Sequence, residues 1–433
     1  MTSLADKDHR YLWHPFTQMK DWLAEKPVII ESAEGAVLRD TAGREYLDGN
    51  SSIWTNLHGH RHPKITQAIK DQLDKIAHSS FLGLSNAPAI ELAEKLVLLA
   101  QQSLPTPRFP LSRVFYSDDG STAMEVAIKM ALQYWQHRKQ GRRTKFVAFA
   151  DAYHGDTLGA VSVGGIDLFH VAFKPLLFDV LRVSQLSQLE KIVQQQHDRV
   201  AAVVIEPLVQ GAAGMRLWPR GLLADLRWLC DQYNVLLIAD EVLTGFGRTG
   251  TMFACEQEQV VPDLMALSKG LTGGYLPLAA TLTTEEIFNA FLGEYSEFKT
   301  FFHGHSYTGN QLGCAAALAN LAVFEEEKVL ERLSVISHQL SAGLELCRKL
   351  PHVGDIRHIG VIGAVELFKN VAKRKPFPPA YKMGIKICAE MRKHGVLTRP
   401  IGNTIVLMPP YCVTDVQLKQ MLDVMRDAIR AVS

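Results

Sequence analysis

Lys269 lies between a short apolar run and a turn rich in glycine. The run extends from Leu264 to Leu267, and the turn contains Gly270, Gly273 and Gly274. Glycine permits unusual backbone angles and lets the backbone approach a ligand closely. A half-buried lysine loses part of its preference for the charged form, and its neutral amine can then attack a carbonyl carbon. Considered alone, Lys269 is better interpreted as a solvated loop residue, so a site prediction needs a second group.

Asp240 supplies that second group. It follows the apolar segment VLLIA and precedes Glu241, a pattern typical of a buried parallel strand that ends in acids. Ligands of open α/β sheets bind beyond the carboxyl ends of the strands, so we expect Asp240 and Lys269 to converge on one site. A buried aspartate opposite a reactive lysine suits pyridoxal phosphate (PLP), because the carboxylate keeps the pyridine nitrogen protonated.

The segments IADEVLTGFGRTG and ALSKGLTGG resemble the signatures of the class III branch of PLP-dependent aminotransferases, and the resemblance covers nearly the whole chain. It implies an α/β protein of fold-type I, with a mainly parallel sheet between helices in a large domain and a smaller α+β domain. We expect residues 66–330 to form the large PLP-binding domain, and residues 1–65 with 331–433 to form the small domain.

Composition is that of an ordinary globular enzyme. The chain of 433 residues has a net charge of +1, 47% hydrophobic residues and 21% charged residues, which gives no reason to expect a nucleic-acid or membrane partner. Its six cysteines show no CxxC spacing, which argues against a zinc site and a disulfide framework. The first thirty residues lack the apolar core of a signal peptide, so we expect a cytoplasmic protein.

Gly120 and Ser121 lie at the predicted start of a helix, directly after the apolar strand RVFYS and two aspartates. A helix amino terminus offers free N–H groups and the positive end of its dipole, and it therefore binds phosphate. The alternative is a capping serine that needs no ligand. The preceding buried strand favours phosphate, and the resemblance implies the same role.

Other cofactor contacts are expected from strand ends and from the resemblance. Tyr153 precedes His-Gly at a strand end, where the residues alone allow either a packed loop aromatic or a ring stacked on a cofactor. The resemblance implies that Tyr153 stacks on the pyridine ring and contacts both cofactor and substrate, with Asp156 supporting it. Glu206 ends another buried strand, where a capping role is the alternative. In the family, the loop containing His305 and Ser306 reaches across a homodimer to the partner's PLP phosphate, so the resemblance implies a homodimer.

The substrate prediction depends on the segments WHPFTQM, SIWTNLHGHRHP and LMPPY. Together they resemble the branch of the family that aminates 8-amino-7-oxononanoate in biotin biosynthesis. Phe16 and Trp54 would contact the methylene chain, at roughly 0.8 kcal/mol per buried CH₂. Gly304 is a further expected contact. The resemblance implies that Arg399 binds the substrate carboxylate, a task that suits its planar fork of donors, and the alternative is an ordinary surface charge.

Two departures from that branch concern the amino donor. Members that use S-adenosylmethionine often have Tyr at the position of Phe16, and commonly Pro-Thr at the position of His305-Ser306. This chain looks more like the members that use lysine. The prediction is therefore S-adenosylmethionine or lysine as the donor, with a preference for lysine.

Several alternatives remain open from the sequence. An ornithine or 4-aminobutyrate aminotransferase of class III would share every PLP residue, and a 2,1-aminomutase would need no second substrate. A PLP-binding regulator would normally carry a DNA-binding module, for which no basic segment is available. GFGRTG matches the dinucleotide pattern literally, but Pro262 breaks the subsequent segment too early for a long helix, and we expect Arg248 to shape the active site instead. His58, His60 and His62 have no accompanying acid or cysteine, so we expect no metal site.

Overall fold

A computed structural model describes residues 2–432. Its helices include one turn with left-handed backbone (α3), and 3₁₀ turns lie at Val171–Leu176, His197–Arg199, Ala254–Glu258, Lys269–Thr272, Tyr295–Glu297 and Pro379–Tyr381. The helices are α1 (Leu4–Tyr11), α2 (Met19–Trp22), α3 (Ser51–Trp54), α4 (Pro63–Lys75), α5 (Ala87–Ser103), α6 (Gly120–His137), α7 (Leu158–Val163), α8 (Asp167–His170), α9 (Leu186–Gln196), α10 (Leu222–Gln232), α11 (Glu285–Asn289), α12 (Gln311–Glu326), α13 (Val329–Glu345), α14 (Met383–Lys393) and α15 (Asp415–Val432).

The strands form one large sheet, two smaller sheets and a short hairpin. They are β1 (Ile30–Glu34), β2 (Val37–Asp40), β3 (Glu45–Asp48), β4 (Leu111–Ser117), β5 (Lys145–Phe149), β6 (Val180–Val183), β7 (Val200–Ile205), β8 (Val209–Gln210), β9 (Arg216–Leu217), β10 (Leu236–Asp240), β11 (Leu264–Leu267), β12 (Ala279–Thr284), β13 (Val353–Ile359), β14 (Ile362–Asn370), β15 (Lys375–Pro376), β16 (Val396–Leu397), β17 (Pro400–Ile401) and β18 (Thr404–Leu407).

The large sheet has the strand order β4-β12-β11-β10-β7-β5-β6, and β12 runs opposite to the other six strands. Its central strands are apolar on both faces, since β7, β10, β11 and β12 consist of buried residues throughout. Helices cover both faces of such a sheet, which is why the strands read as continuous apolar runs. The prediction of a mainly parallel sheet between helices is confirmed.

Helix α6 is positioned by its apolar face. Met124, Ala127, Ile128 and Ala131, the face predicted from the helical period, are all buried, and α6 contacts β11 and β12. Burial of an apolar side chain the size of methionine contributes about 1.5–3 kcal/mol. Packing along this face therefore fixes the first turn of α6, at Gly120, at the carboxyl edge of the sheet.

The two chain ends meet in a smaller sheet. Its strands β1, β2 and β3 are the predicted antiparallel strands, and β16 pairs in parallel with β3. Strands β13, β14, β17 and β18 form a separate antiparallel sheet, and β15 pairs with β14. This mixture of strands and helices agrees with the α+β architecture expected for the chain ends. The proposed boundaries at residues 66 and 330 stay predictions.

Two sequence features have local structures that their composition does not reveal. GFGRTG lies in consecutive turns after β10 and opens no helix, so the dinucleotide interpretation lacks its structural context. The segment Ser51–Trp54 has positive φ angles throughout although it contains no glycine. Left-handed backbone costs roughly 1–2 kcal/mol per L-residue, so surrounding contacts must hold this turn. Within residues 2–432, no helix combines the length and apolar character that crossing a bilayer requires.

Candidate active site

A cleft opens at the carboxyl edge of the large sheet. Seven of the predicted site residues line it together: Trp54, Gly120, Ser121, Tyr153, Glu206, Asp240 and Lys269. Asp240 ends β10, Glu206 follows β7 and Lys269 follows β11, while Gly120 and Ser121 begin α6. Residues that are far apart in sequence therefore converge because neighbouring parallel strands end at the same edge.

Asp240 is held rigidly. Its side chain is 7% exposed, and its Oδ2 atom lies 2.7 Å from Nδ1 of His154, whose side chain has no exposure. The backbone N–H of Val242 donates to Oδ1 of Asp240 over 3.1 Å. His154 has no role among the residues predicted from the sequence. Its signal was the Tyr-His-Gly sequence after β5, but only the fold shows that the imidazole orients the Asp240 carboxylate.

Lys269 has a positive φ of 43° and begins the 3₁₀ turn Lys269–Thr272. Its Nζ atom lies 4.7 Å from the centroid of the Trp54 ring. Burial lowers the pKa of Lys269 to about 8, and the nearby carboxylates of Asp240 and Glu206 oppose this shift. A substantial fraction of the amine is therefore neutral and nucleophilic at mildly alkaline pH.

Glu206 shares the floor of the cleft with Asp240. Burial, and secondly the charge of Asp240, raise the pKa of Glu206 well above its usual range, while Lys269 lowers it. Its Oε2 atom is buried and receives no hydrogen bond from residues 2–432. The Glu206 carboxyl thus faces the cleft with unused hydrogen-bonding capacity, which suits a ligand contact.

The start of α6 forms a close-fitting cradle beside these groups. Oδ1 of Asp119 accepts a hydrogen bond from the N–H of Thr122 over 2.8 Å. The N–H groups of Gly120 and Ser121, in the same first turn, have no carbonyl partner within the helix and are available to a ligand. A Cβ at Gly120 would lie 2.6 Å from Val242 Cγ1, and one at Gly155 would lie 2.0 Å from Ser121 Oγ. Only glycine fits at these two positions.

The chemistry of these residues fits PLP. The helix amino terminus suits an anionic phosphate, the buried Asp240 suits a protonated pyridine nitrogen, and the Lys269 amine suits an aldehyde carbon. Three chemically different contacts on one small cofactor thus have counterparts in one cleft. The unpartnered Oε2 atom of Glu206 leaves a further polar group for a cofactor or substrate contact.

Tyr153 connects the cofactor cleft to its mouth. Its hydroxyl donates to Oδ2 of Asp156 over 2.7 Å, and burial together with this hydrogen bond raises its pKa. The N–H of Asp156 donates to Ser121 Oγ over 3.0 Å, so Asp156 links Tyr153 to the start of α6. The Phe16 ring lies edge-on to Tyr153, with 6.4 Å between their centroids.

The remaining predicted site residues do not line the cleft of the single chain. Arg399 is exposed, and its guanidinium donates to the carbonyl oxygen of Phe16, so these two residues lie together near the mouth. Gly304, His305 and Ser306 also lie outside the cleft. His305 Nε2 is 3.8 Å from Oδ1 of Asp118, which precedes α6. Of the three histidines considered as metal ligands, His58 packs on Phe324 and lies edge-on to His62, with 6.0 Å between the ring centroids. His60 contacts Asp48, and His62 contacts Glu327.

Known proteins resemble this chain over nearly its whole length. The aminotransferase class-III family model matches residues 19–429. An adenosylmethionine-8-amino-7-oxononanoate aminotransferase of Nitratidesulfovibrio vulgaris is 51% identical, over 99% of this chain and 82% of that protein. The crystal structure of the enzyme of the same name from Methanocaldococcus jannaschii matches with a TM-score of 0.96 and 45% identity, over 99% of each chain.

A solved structure with lower sequence identity contains bound PLP. A PLP-bound amine transaminase from an uncultivated Pseudomonas species matches with a TM-score of 0.91 and 33% identity, over 98% of this chain and 99% of that one. Extensive coverage and the convergence of lysine, aspartate and helix amino terminus lead to the same conclusion. The chain belongs to the class III aminotransferases and is a PLP-dependent transaminase.

Proposed function

We propose that this enzyme transfers an amino group to 8-amino-7-oxononanoate and forms 7,8-diaminononanoate, a step of biotin biosynthesis. The observation that carries the proposal is the composition of the cleft and its mouth. Trp54, Tyr153 and Phe16 provide apolar surface for a methylene chain, and Arg399 provides a cation for the terminal carboxylate. The names of the relatives at 44–51% identity support the same substrate.

Different residues of the cleft would bind the cofactor, transfer the proton and exclude water. PLP, when bound, supplies an electron sink that stabilises negative charge on the substrate carbon. Asp240 would hold the pyridine nitrogen of the cofactor, and the start of α6 would hold its phosphate. The Lys269 amine would bind its aldehyde carbon. During turnover the Lys269 Nζ atom would remove a proton from the donor carbon that loses the amino group. Later in the cycle it would donate a proton to the acceptor carbon that gains the amino group, so that it acts as general base and then as general acid. The Trp54 indole shields this amine from water.

The amino donor is proposed to be lysine. Phe16 lacks the hydroxyl that users of S-adenosylmethionine often carry there, and His305-Ser306 replaces their common Pro-Thr. The names of the relatives mention adenosylmethionine, so the two donors need direct comparison.

We also propose that the protein is a homodimer, in which the loop containing Gly304, His305 and Ser306 contributes to the partner's site. Large apolar side chains on this loop are exposed in the single chain, including Phe302 at 69% and Tyr307 at 63%, and a second copy would cover them. Sedimentation should give twice the chain mass of 48.2 kDa. A fully active monomer would contradict this proposal.

Single half-reactions test the donor and the acceptor separately. Lysine added to the PLP-loaded enzyme should convert the bound cofactor to its amine form, because Phe16 and His305 favour that donor, whereas S-adenosylmethionine should not. Addition of 8-amino-7-oxononanoate should then restore the original spectrum. The absorbance of the cofactor provides the measurement. If ornithine or 4-aminobutyrate reacts and the ketone restores nothing, the chain is an ω-amino acid aminotransferase instead.

Replacement of Arg399 by Ala should raise the KM for 8-amino-7-oxononanoate by roughly tenfold to a hundredfold, since a hydrogen bond to a charged group contributes about 1.5–3 kcal/mol. Steady-state kinetics with a ketone that lacks the carboxylate should show little change. Arg392→Ala is the matched control, because this arginine contacts Glu25 instead. An equal effect on both ketones would exclude carboxylate recognition by Arg399.

The attachment of PLP to the cofactor-free enzyme should accelerate as the pH rises. Only the neutral amine attacks, so the rate should rise through a pH near 8, the lowered pKa of Lys269, whereas an ordinary lysine would require a pH above about 10. Stopped-flow absorbance measures the rate. Lys269→Ala should abolish both the absorbance change and turnover, whereas Lys64→Ala, on the surface, should change neither. A rate independent of pH between about 7 and 9 would refute the shift.

A further inference from the structure

The turn α3 is an uncommon structure for its sequence. The φ angles of its four residues are 45°, 48°, 61° and 71°, and N–H groups of Trp54 and Thr55 donate to the carbonyl oxygens of Asn50 and Ser51 over 2.9 Å. This is one turn of left-handed helix made of Ser-Ser-Ile-Trp. β-branched residues such as Ile53 avoid this conformation most strongly. Such backbone persists only where neighbouring groups over-determine it, and it is concentrated at functional sites.

Asp48 braces the turn from one side. It is 2% exposed, and its Oδ1 atom accepts from the N–H of Ser52 over 2.8 Å. Its Oδ2 atom accepts from Ser52 Oγ over 2.8 Å and lies 3.1 Å from His60 Nε2. Burial acts to raise the pKa of Asp48, but these hydrogen bonds outweigh it and lower the pKa. Asp48 is therefore an anion at neutral pH, and its carboxylate binds Ser52 firmly.

Arg248 braces the other side. It is 1% exposed, and its guanidinium donates to Ser51 Oγ over 3.3 Å and to the carbonyl oxygens of Trp54 and Asn56 over 3.1 and 3.0 Å. Ser51 Oγ in turn donates to the carbonyl oxygen of Met408 over 2.6 Å. Both ends of the turn are thus fixed to separate, buried parts of the protein.

The turn determines where its last side chain lies. Trp54 lines the cleft with its ring over the Lys269 amine, whereas the preceding residue, Ile53, is 46% exposed. Trp54 Cζ3 would also lie 3.5 Å from a Cβ at Gly211. A right-handed turn would reverse the rotation from Ser51 to Trp54 and direct the indole elsewhere. The left-handed sense is therefore what places this ring close to both Lys269 and the loop around Gly211.

We propose that the left-handed turn Ser51–Trp54 is a positioning device, that Asp48 maintains it, and that together they fix the Trp54 indole as the wall of the substrate cleft over Lys269. The position of the indole is independent of the substrate. Its use as a wall for the methylene chain rests on the proposed function.

The test uses PLP-loaded enzyme labelled with 5-fluorotryptophan. The chain contains six tryptophans, and the fluorine resonance lost in Trp54→Phe identifies that of Trp54. Asp48→Asn should broaden or shift this resonance and leave the other five unchanged. It should also raise the KM of the accepted ketone about tenfold while kcat changes less than threefold. Ser52→Ala, which removes one hydrogen bond to Asp48, should have the same effects in weaker form, and it replaces Asp48→Asn if that variant does not fold.

A rescue experiment examines the left-handed backbone itself. Ile53→Gly, added to Asp48→Asn or Ser52→Ala, should restore the Trp54 resonance and lower the KM again, because glycine adopts positive φ without strain. Ile53→Ala is the matched control, since it removes the same side chain without that freedom and should restore less. Equal rescue by Gly and Ala, or a Trp54 resonance unaffected by both Asp48→Asn and Ser52→Ala, would overturn the proposal. Since the fluorine spectrum needs no substrate, failure of the proposed acceptor would not affect it.

Discussion

The parallel pairing of β10 with β11 is the constraint on which the site depends. Asp240, the last residue of β10, is level with Ala266 of β11, and Lys269 follows three residues later, just beyond the sheet. This register places the Asp240 carboxylate and the Lys269 amine at the same edge of the sheet, although the two residues are far apart in sequence. On the other side, β10 pairs with β7, which ends immediately before Glu206. A shift of register would separate the three groups that the chemistry requires.

Burial of these groups creates a balance of opposing electrostatic effects. The low-dielectric surroundings lower the pKa of the Lys269 amine and raise that of the Glu206 carboxyl, while attraction between the amine and the carboxylates acts in the reverse direction on both. The result is an amine that can lose its proton near physiological pH and still lies beside an acid. His154 contributes by orienting Asp240, so that the carboxylate keeps a fixed direction in the cleft.

The sequence predicts the parts of this site that depend on local pattern. Apolar strands that end in acids, a glycine-rich turn after Lys269 and a helix beginning at Gly120 all have short-range signals, and the structure brings these residues to one cleft. Contacts that depend on tertiary structure could not be predicted from the sequence. His154 contacts Asp240 only because of the order of the strands in the sheet. The left-handed turn Ser51–Trp54 contains no glycine that would indicate positive φ angles. Arg399 and Ser306 lie outside the cleft of the single chain, so their roles stay predictions.

Transfer of a labelled nitrogen tests the central claim most directly. The PLP-loaded enzyme would be incubated with 8-amino-7-oxononanoate and ¹⁵N-labelled lysine or S-adenosylmethionine, and the product would be analysed by mass spectrometry. The account predicts 7,8-diaminononanoate that carries the label from one of the two donors, and none from the Lys269→Ala variant. A purified, PLP-loaded enzyme that forms no labelled diamine with either donor would contradict the proposed function.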